Sequence, residues 1–291
     1  MTDLAATEAS PWAFHFHPDV WLLVIVLAAG YATLLHRLGP KHVGPGTRPA
    51  TTKQQLFYFS GLVALWAGAD WPVHDLSESY LFSVHMVQHM LFTFVAPPLL
   101  LLGLPAWLLR ALLPPAALRV VRVLTRPLVA LLVFNGVIAI THWPTLVDAS
   151  LRSEPLHFVI HFILVTTATF MWWPVVSPLP ETARLSEPAK MLYLFLQSVL
   201  PTVPASFLTF ADRPIYRFYQ SVPRVWEALD VVTDQRVAGL IMKLGGGLLL
   251  WGVIAVLFFR WNAHEEGQRS QEQISWEDFE RELEAWDLRR S

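Results

Sequence analysis

The sequence contains no cysteine among its 291 residues. This absence excludes disulfide bonds, thiolate metal sites and the Cys-x-x-Cys chemistry of redox proteins. Any metal ion held by this chain must therefore be bound by nitrogen, oxygen or thioether ligands.

Charged residues are also scarce, at 15% of the chain, whereas soluble domains contain about 25%. Hydrophobic residues make up 54%, the mean hydropathy is +0.43, and the chain has 13 Trp and 18 Phe. The net charge is −2 and no basic block is present, so the composition does not favour binding to nucleic acid. Together these values predict an all-α, multi-pass protein of the lipid bilayer.

Seven apolar windows have roughly the twenty residues needed to cross about 30 Å of hydrocarbon. They predict a bundle of seven transmembrane helices, formed by residues 19–37, 54–72, 80–104, 128–146, 156–176, 190–210 and 237–259. We expect Pro97 and Pro98 to kink the third helix, and Pro201 and Pro204 interrupt the sixth. The windows divide the chain into an outer amino-terminal segment (1–18), a membrane domain (19–260) and a tail (261–291).

The loops alternate in charge, which predicts the orientation of the bundle. Lys and Arg concentrate in the loops after the first, third and fifth windows, and such loops are usually cytoplasmic. The first seventeen residues contain Asp3 and Glu8 but no Lys or Arg, which does not fit a cleavable signal peptide. We therefore expect the amino terminus outside, the carboxyl terminus in the cytoplasm, and the protein in the plasma (inner) membrane.

The tail has an acidic, amphipathic pattern. Trp276, Phe279, Leu283 and Trp286 recur at helical spacing. Two interpretations remain open, a helix that packs on the inner face of the protein and a helix that binds a partner.

Two His-x-x-x-His pairs lie inside apolar windows. His85 and His89 are in the third window, His157 and His161 are in the fifth, and His142 is near the end of the fourth. A spacing of four places both members of a pair on one helix face. With the orientation above, all five lie within roughly 5–15 Å of the outer interface, at 1.5 Å per residue. The sequence therefore predicts a site of three to five imidazole nitrogens, although a single membrane histidine often serves only packing.

Neutral imidazole binds copper, zinc, iron and nickel, and thioether sulfur adds a preference for Cu(I). Met86 and Met90 each follow a histidine but point about 100° away from it on a helix. Met242, at a similar depth in the seventh window, is the better candidate ligand. Acidic residues at the outer rim are predicted to orient the imidazoles from behind or to attract cations. These are Asp70, Asp75, Asp148 and Asp234.

Haem is the alternative cofactor, because one histidine from each pair has the chemistry to bind iron while its neighbour bonds a propionate. A zinc hydrolase is less favoured, since the residues between the paired histidines are MVQ and FVI and supply no glutamate base. A third alternative is a scaffold in which the histidines only brace the bundle. No catalytic residue is predicted, and the chain is expected not to be an enzyme.

The stretch GLVALWAGADWPVHDLSESYLFSVHMVQHMLFTFVAPPLLLLGLP (61–105) resembles the signature of the CtaG family of cytochrome c oxidase assembly factors. Further segments that resemble the family are THWP (141–144), PIYRFY (214–219) and DQRVAGLIMKLGGG (234–247). Lys243 departs from the pattern, where an aromatic residue is expected.

The resemblance implies a seven-helix membrane protein that helps to mature a caa-type oxidase by handling copper. It implies two partners, an oxidase subunit carrying a copper centre and a protein that donates copper. The positions that match family residues are His74, His85, His89, His142, His157, His161, Asp234, Gln235 and Met242.

Overall fold

The computed structural model describes residues 10–182 and 184–287, and within these ranges every regular element is helical. The predicted all-α class is therefore confirmed for this part of the chain. Two π turns, Leu91–Val95 and Ile241–Gly245, each join two α-helices. The α-helices are α1 (Pro18–His42), α2 (Thr52–Ala69), α3 (Val73–Ser79), α4 (Phe82–Met90), α5 (Ala96–Gly103), α6 (Ala106–Leu112), α7 (Pro115–Leu124), α8 (Pro127–Thr141), α9 (Pro144–Ser150), α10 (Glu154–Val176), α11 (Glu187–Val199), α12 (Thr202–Phe210), α13 (Phe218–Ser221), α14 (Val231–Leu240) and α15 (Gly246–Asp287).

Five helical stretches of the described chain are long and apolar enough to cross a membrane. A sixth is added if α7 and α8, which meet at an angle of 78°, are counted as one broken span. The five stretches are Pro18–His42, Phe82–Gly103, Glu154–Val176, Glu187–Phe210 and Val231–Arg269. The fold is thus that of a membrane protein with five or six such helices, where the sequence predicts seven.

The two remaining windows do form helices, but each is marginal as a span. In α2 the first turn carries Lys53, Gln54 and Gln55, and Thr51 caps it by accepting from the Gln54 backbone N–H. In α8 there are 15 residues, which give a length of about 22 Å at 1.5 Å per residue. The polar start of α2 and the short length of α8 account for the difference from the predicted count.

The third window folds as one stretch in which the π turn lies just before the prolines. Pro97 has no N–H to donate to the carbonyl of Thr93, four residues earlier, so that oxygen loses its helical partner. The indole N–H of Trp172, on α10, donates to this oxygen at 2.9 Å. Pro97 therefore leaves no unpaired carbonyl at Thr93, and the hydrogen bond from Trp172 joins this stretch to α10.

The helix α5 lies against the backbone of α2 and accepts a hydrogen bond from α1. A Cβ added at Gly103 would lie 2.5 Å from the backbone nitrogen of Tyr58, so the two helices approach too closely for any side chain there. The carbonyl of Gly103 accepts a hydrogen bond from the hydroxyl of Tyr31 at 2.9 Å. The rings of Tyr31 and Tyr58 stack 3.9 Å apart. These contacts hold α1, α2 and the stretch Phe82–Gly103 together.

The sixth window is divided in the structure, whereas the helix of the seventh continues into the tail. The sixth window is divided around Pro201 into α11 and α12, as the prolines indicated. The last helix, α15, continues for 42 residues without a break at residue 260. In the tail the side chains of Trp276, Phe279, Leu283 and Trp286 are exposed. Residues Asp3 and Glu8 and the end of the predicted tail helix (288–290) lie outside the described residues.

Candidate metal centre

Three helices bring five imidazoles together inside the bundle. His85 and His89 lie one turn apart on α4, His157 and His161 lie one turn apart on α10, and His142 follows the last turn of α8. Four of these side chains are at most 8% exposed, and His161 is partly buried. The helical spacing of four therefore does place each pair on one inward face.

The rings form one continuous cluster. Within α4 the His85 and His89 centroids are 4.4 Å apart, and within α10 those of His157 and His161 are 4.2 Å apart. Between helices, the His161 ring lies 5.8 Å from that of His85 and 5.4 Å from that of His89. The His142 ring lies 5.6 Å from His89. The predicted meeting of imidazoles from three helices is thus present.

The ligand atoms are spaced almost closely enough to share an ion. His85, His89 and His161 each offer a ring nitrogen, and these three atoms lie within 4.8 Å of one another. Two nitrogens on one ion at 2.0–2.1 Å can be no more than about 4.2 Å apart. Three nitrogens spaced evenly around one ion at that bond length are about 3.6 Å apart, so a movement of about 0.7 Å per ring would bring all three to a common ion.

Several of these nitrogens have no hydrogen-bond partner among the described residues. They are His85 Nδ1, both ring nitrogens of His89, His142 Nε2 and His157 Nδ1, and all are buried. Leaving a buried polar atom unpaired costs about 1–3 kcal/mol. Unprotonated imidazole nitrogens in such a position fit a cation, which accepts their lone pairs.

The tautomer of His142 follows from its contacts. Its Nδ1 lies 2.8 Å from the carbonyl oxygen of Ile138, so Nδ1 carries the proton and donates it. The lone pair is then on Nε2, which is buried and unpaired. The backbone carbonyl of His142 accepts from the hydroxyl of Tyr216 at 3.1 Å, which fixes the end of α8.

A small cavity adjoins the cluster and adds sulfur to the available ligands. Its volume is about 20 Å³, enough for a single water molecule or ion. Met86, Met90 and Met242 line it together with His89 and His142. The sequence singled out Met242 and set aside Met86 and Met90 because they point away from the paired histidines. The structure places all three beside the same cavity.

His74 lies outside the buried cluster, on α3. Its Nδ1 is 3.1 Å from Oε1 of Glu78 and 3.5 Å from Nε2 of Gln88. The same Glu78 oxygen is 3.4 Å from Nε2 of His157. Glu78 therefore connects His74 to the cluster, a role that sequence reasoning missed. The sequence signal for this contact is the spacing of four residues between His74 and Glu78, which places both on one helix face.

The charges of this pair follow from their surroundings. Burial, Asp75 and Glu154 raise the pKa of Glu78 to about 8. Burial and the nearby His17 lower the pKa of His74. Both shifts favour the uncharged form of the side chain.

The predicted rim acids have varied contacts in the described part of the chain. Asp75 is the one that bonds imidazoles, with oxygens 2.9 Å from His17 Nε2 and 3.2 Å from His15 Nδ1. Asp148 accepts from the backbone N–H groups of residues 217 and 218. Asp70 is buried, with one unpaired oxygen.

Asp234 and Gln235 brace backbone and hydrogen-bond no imidazole among the described residues. Asp234 is fully buried, and its carboxylate accepts from the N–H groups of Phe82 at 2.8 Å and Ser83 at 3.1 Å. These N–H groups begin α4, which has no cap from its own sequence. Gln235 accepts from the N–H of Ile215 at 2.6 Å. Asp234 therefore positions the helix that carries His85 and His89.

The fold and the site define a polytopic helical membrane protein with a buried histidine cluster. The family model of the cytochrome c oxidase caa3 assembly factor (Caa3_CtaG) matches residues 29–264. The chain belongs to this family, which confirms the resemblance carried by residues 61–105.

Relatives in mycobacteria are similar over most of this chain. An uncharacterized protein of Mycobacterium bovis and one of Mycobacterium tuberculosis are each 27% identical over 272 residues, which cover 86% of this chain. An uncharacterized protein of Mycobacterium leprae is 28% identical over 225 residues. The chain spans 39% of the length of the first two and 33% of the third. No solved structure matches it.

Proposed function

We propose that this chain is a non-enzymatic assembly factor that binds copper in its histidine cluster and supports metallation of the copper centre of cytochrome c oxidase. Membership of the family supports the oxidase part of the proposal. The observation that carries the metal part is the group of buried, unpaired imidazole nitrogens beside a cavity lined by thioethers. Copper is the cargo of the protein here, and His85, His89 and His161 are its principal ligands, with His142, His157 and Met242 adjacent.

Copper fits the donor set better than haem does. Imidazole nitrogen and thioether sulfur together suit Cu(I), and no thiolate is available. A haem needs a cleft of several hundred Å³ between its axial ligands, on the scale of other cofactor sites. The cavity beside His89 and His142 has about 20 Å³, and the five rings form one continuous cluster. These dimensions support a bare ion.

The proposed topology has seven spans, with α2 and α8 crossing the membrane beside the five longer stretches. The amino terminus is outside and the tail is cytoplasmic, in the plasma membrane. The cluster then lies near the outer face, where an oxidase subunit with a copper centre receives the ion and a donor protein supplies it. Since the chain has no cysteine, single cysteines test this directly. An impermeant thiol reagent on intact cells should label Ser221→Cys but not Thr47→Cys.

Metal analysis of the purified full chain tests the site. The wild-type protein, loaded with Cu(I) and desalted, is expected to retain copper, and the double variant His89→Ala/His161→Ala is expected to lose it. The matched control is His36→Ala/His264→Ala, which removes two exposed histidines away from the cluster. Equal copper in all three proteins would refute the assignment. A Soret band in the freshly purified protein would favour haem, and normal oxidase assembly with the double variant would favour a scaffold.

A further inference from the structure

A second and larger cavity lies at the end of the bundle opposite the histidine cluster. On α10 the two histidines are in the first two turns, whereas Trp172 and Val175, which line this cavity, are in the last two. The cavity has a volume of about 830 Å³ and forms a groove between α5, α10 and α15. Its lining residues Leu102, Leu249 and Val256 are at least 42% exposed, so the groove opens toward the bilayer. We call it the lateral groove.

The lateral groove is apolar over a depth that matches one leaflet of the bilayer. Along α15 its lining residues recur at helical spacing, from Leu249 through Val253 and Leu257 to Arg260 and His264. The rise from Leu249 to Arg260 is about 17 Å at 1.5 Å per residue. Half of the hydrocarbon core is about 15 Å thick. The apolar part of the groove therefore has the length of the acyl-chain region, and Arg260 lies at the level of the headgroups.

The charged end of the groove has an excess of positive charge. Lys190 Nζ is 2.7 Å from a carboxylate oxygen of Glu187, so these two charges offset one another. Arg260 lines the same end and has no acidic partner among the described residues. A guanidinium presents its N–H donors in a fork that fits the oxygens of a phosphate. The lateral groove thus joins an apolar channel to a cation whose charge is not compensated.

We propose that the lateral groove is a specific site for an anionic phospholipid, with an acyl chain along α15 and the phosphate at Arg260 and Lys190. Basic residues between membrane helices near the surface of the bilayer are a recurring setting for anionic headgroups. The inference is independent of copper binding, since it uses no residue of the histidine cluster. A haem fits less well, because the groove has a single histidine among its described lining residues, and this is His264 at the charged end.

The headgroup, and not the acyl chain, must provide the selectivity. An acyl chain that moves from the bilayer into the groove exchanges one apolar environment for another, so this transfer favours no lipid. Attraction to each nearby Lys or Arg favours an anionic lipid about 5-fold. Because Glu187 offsets part of the charge of Lys190, we expect a preference of about 5- to 25-fold for phosphatidylglycerol over phosphatidylcholine.

The test measures the lipids retained by the purified full chain. Protein stripped of lipid in detergent is incubated with an equimolar mixture of the two phospholipids, and the bound lipids are counted by native mass spectrometry. The wild type should retain one phosphatidylglycerol. Arg260→Gln should lower the preference about 5-fold, and Arg260→Lys, which keeps the charge, should retain most of it. The matched control is Arg119→Gln, at an exposed position outside the groove on α7, which leads into the end of α8 remote from His142.

A second pair of variants tests whether the acyl chain occupies the groove. Val256 lines the groove and is 58% exposed, whereas Leu248, on the same helix, lies outside the lining and is 74% exposed. Val256→Trp should fill the groove and prevent retention of phosphatidylglycerol, and Leu248→Trp should leave it unchanged. Both side chains are exposed, so neither substitution requires the core to repack.

Equal retention of the two phospholipids by the wild type would overturn the inference, because it would mean ordinary contact with the bilayer. An unchanged preference in Arg260→Gln, or unchanged retention in Val256→Trp, would overturn it as well. Haem retained in place of a phospholipid would assign the groove to a different ligand and would also overturn it.

Discussion

Asp234 is predicted to hold α4, the helix that carries His85 and His89, in place from a distance of about 150 residues along the chain. Its buried carboxylate accepts from the N–H groups of Phe82 and Ser83, and α4 has no other side-chain cap in the described chain. In Asp234→Ala both N–H groups lose their partner inside the protein. Each buried, unpaired donor costs about 1–3 kcal/mol, so the loss of stability should be about 2–6 kcal/mol. Asp234→Asn keeps one acceptor oxygen and should lose about half as much.

The assay is equilibrium unfolding in mixed micelles, followed by far-UV circular dichroism, together with titration of the purified protein with chelator-buffered Cu(I). Both Asp234 variants should also bind copper more weakly, because His85 and His89 move with α4. The matched control is Asp230→Ala, which removes an exposed cap from the first turn of α14 and leaves α4 untouched. It should have a smaller effect on stability and none on copper. An Asp234→Ala protein as stable as Asp230→Ala would refute the reasoning.

Three further changes test other parts of the structure. Gly103→Ala places a Cβ against the backbone of Tyr58 and should lower the free energy of unfolding by about 1–3 kcal/mol. The control Gly247→Ala, whose Cβ would have nothing within 4 Å, should be neutral, and equal effects would contradict the close approach. Trp172→Phe removes the donor to the Thr93 carbonyl and should lower the free energy of unfolding by about 1–3 kcal/mol in the same assay. The control is Trp251→Phe, at an exposed position, and its effect should be clearly smaller. Met242→Leu keeps the volume but removes a thioether, so competition titrations should show weaker Cu(I) binding with zinc binding unchanged, and an equal loss of both metals would exclude a sulfur ligand.

Much of the candidate site follows from local spacing. The pairs His85/His89 and His157/His161 had to face one way on their helices, and the apolar windows around them had to bury those faces. The orientation predicted from the loop charges placed His142 at the same depth in the membrane as the two pairs. These inferences need only helix geometry and loop charge, and the structure has the five rings in one continuous cluster.

The rest depends on contacts between distant parts of the chain. Asp234 was expected to orient imidazoles, but it caps α4, and no local pattern relates it to Phe82. Glu78 was not among the predicted site residues, and its contact with His157 joins α3 to α10. Met86 and Met90 were set aside on helical angles alone, although a cavity between helices collects side chains from a wide arc. The count of spans depends on lengths near a threshold, as the 15 residues of α8 illustrate.

The neutrality of the inner ligands has a consequence for how firmly any ion is held. Imidazoles and thioethers bring no negative charge, so a cation among them keeps its whole charge in surroundings of low polarity. Thiolate ligands neutralise the charge of the ion and therefore bind copper more tightly. A pocket without thiolates holds the ion less tightly. Transfer of the ion to an acceptor with anionic ligands is therefore favourable.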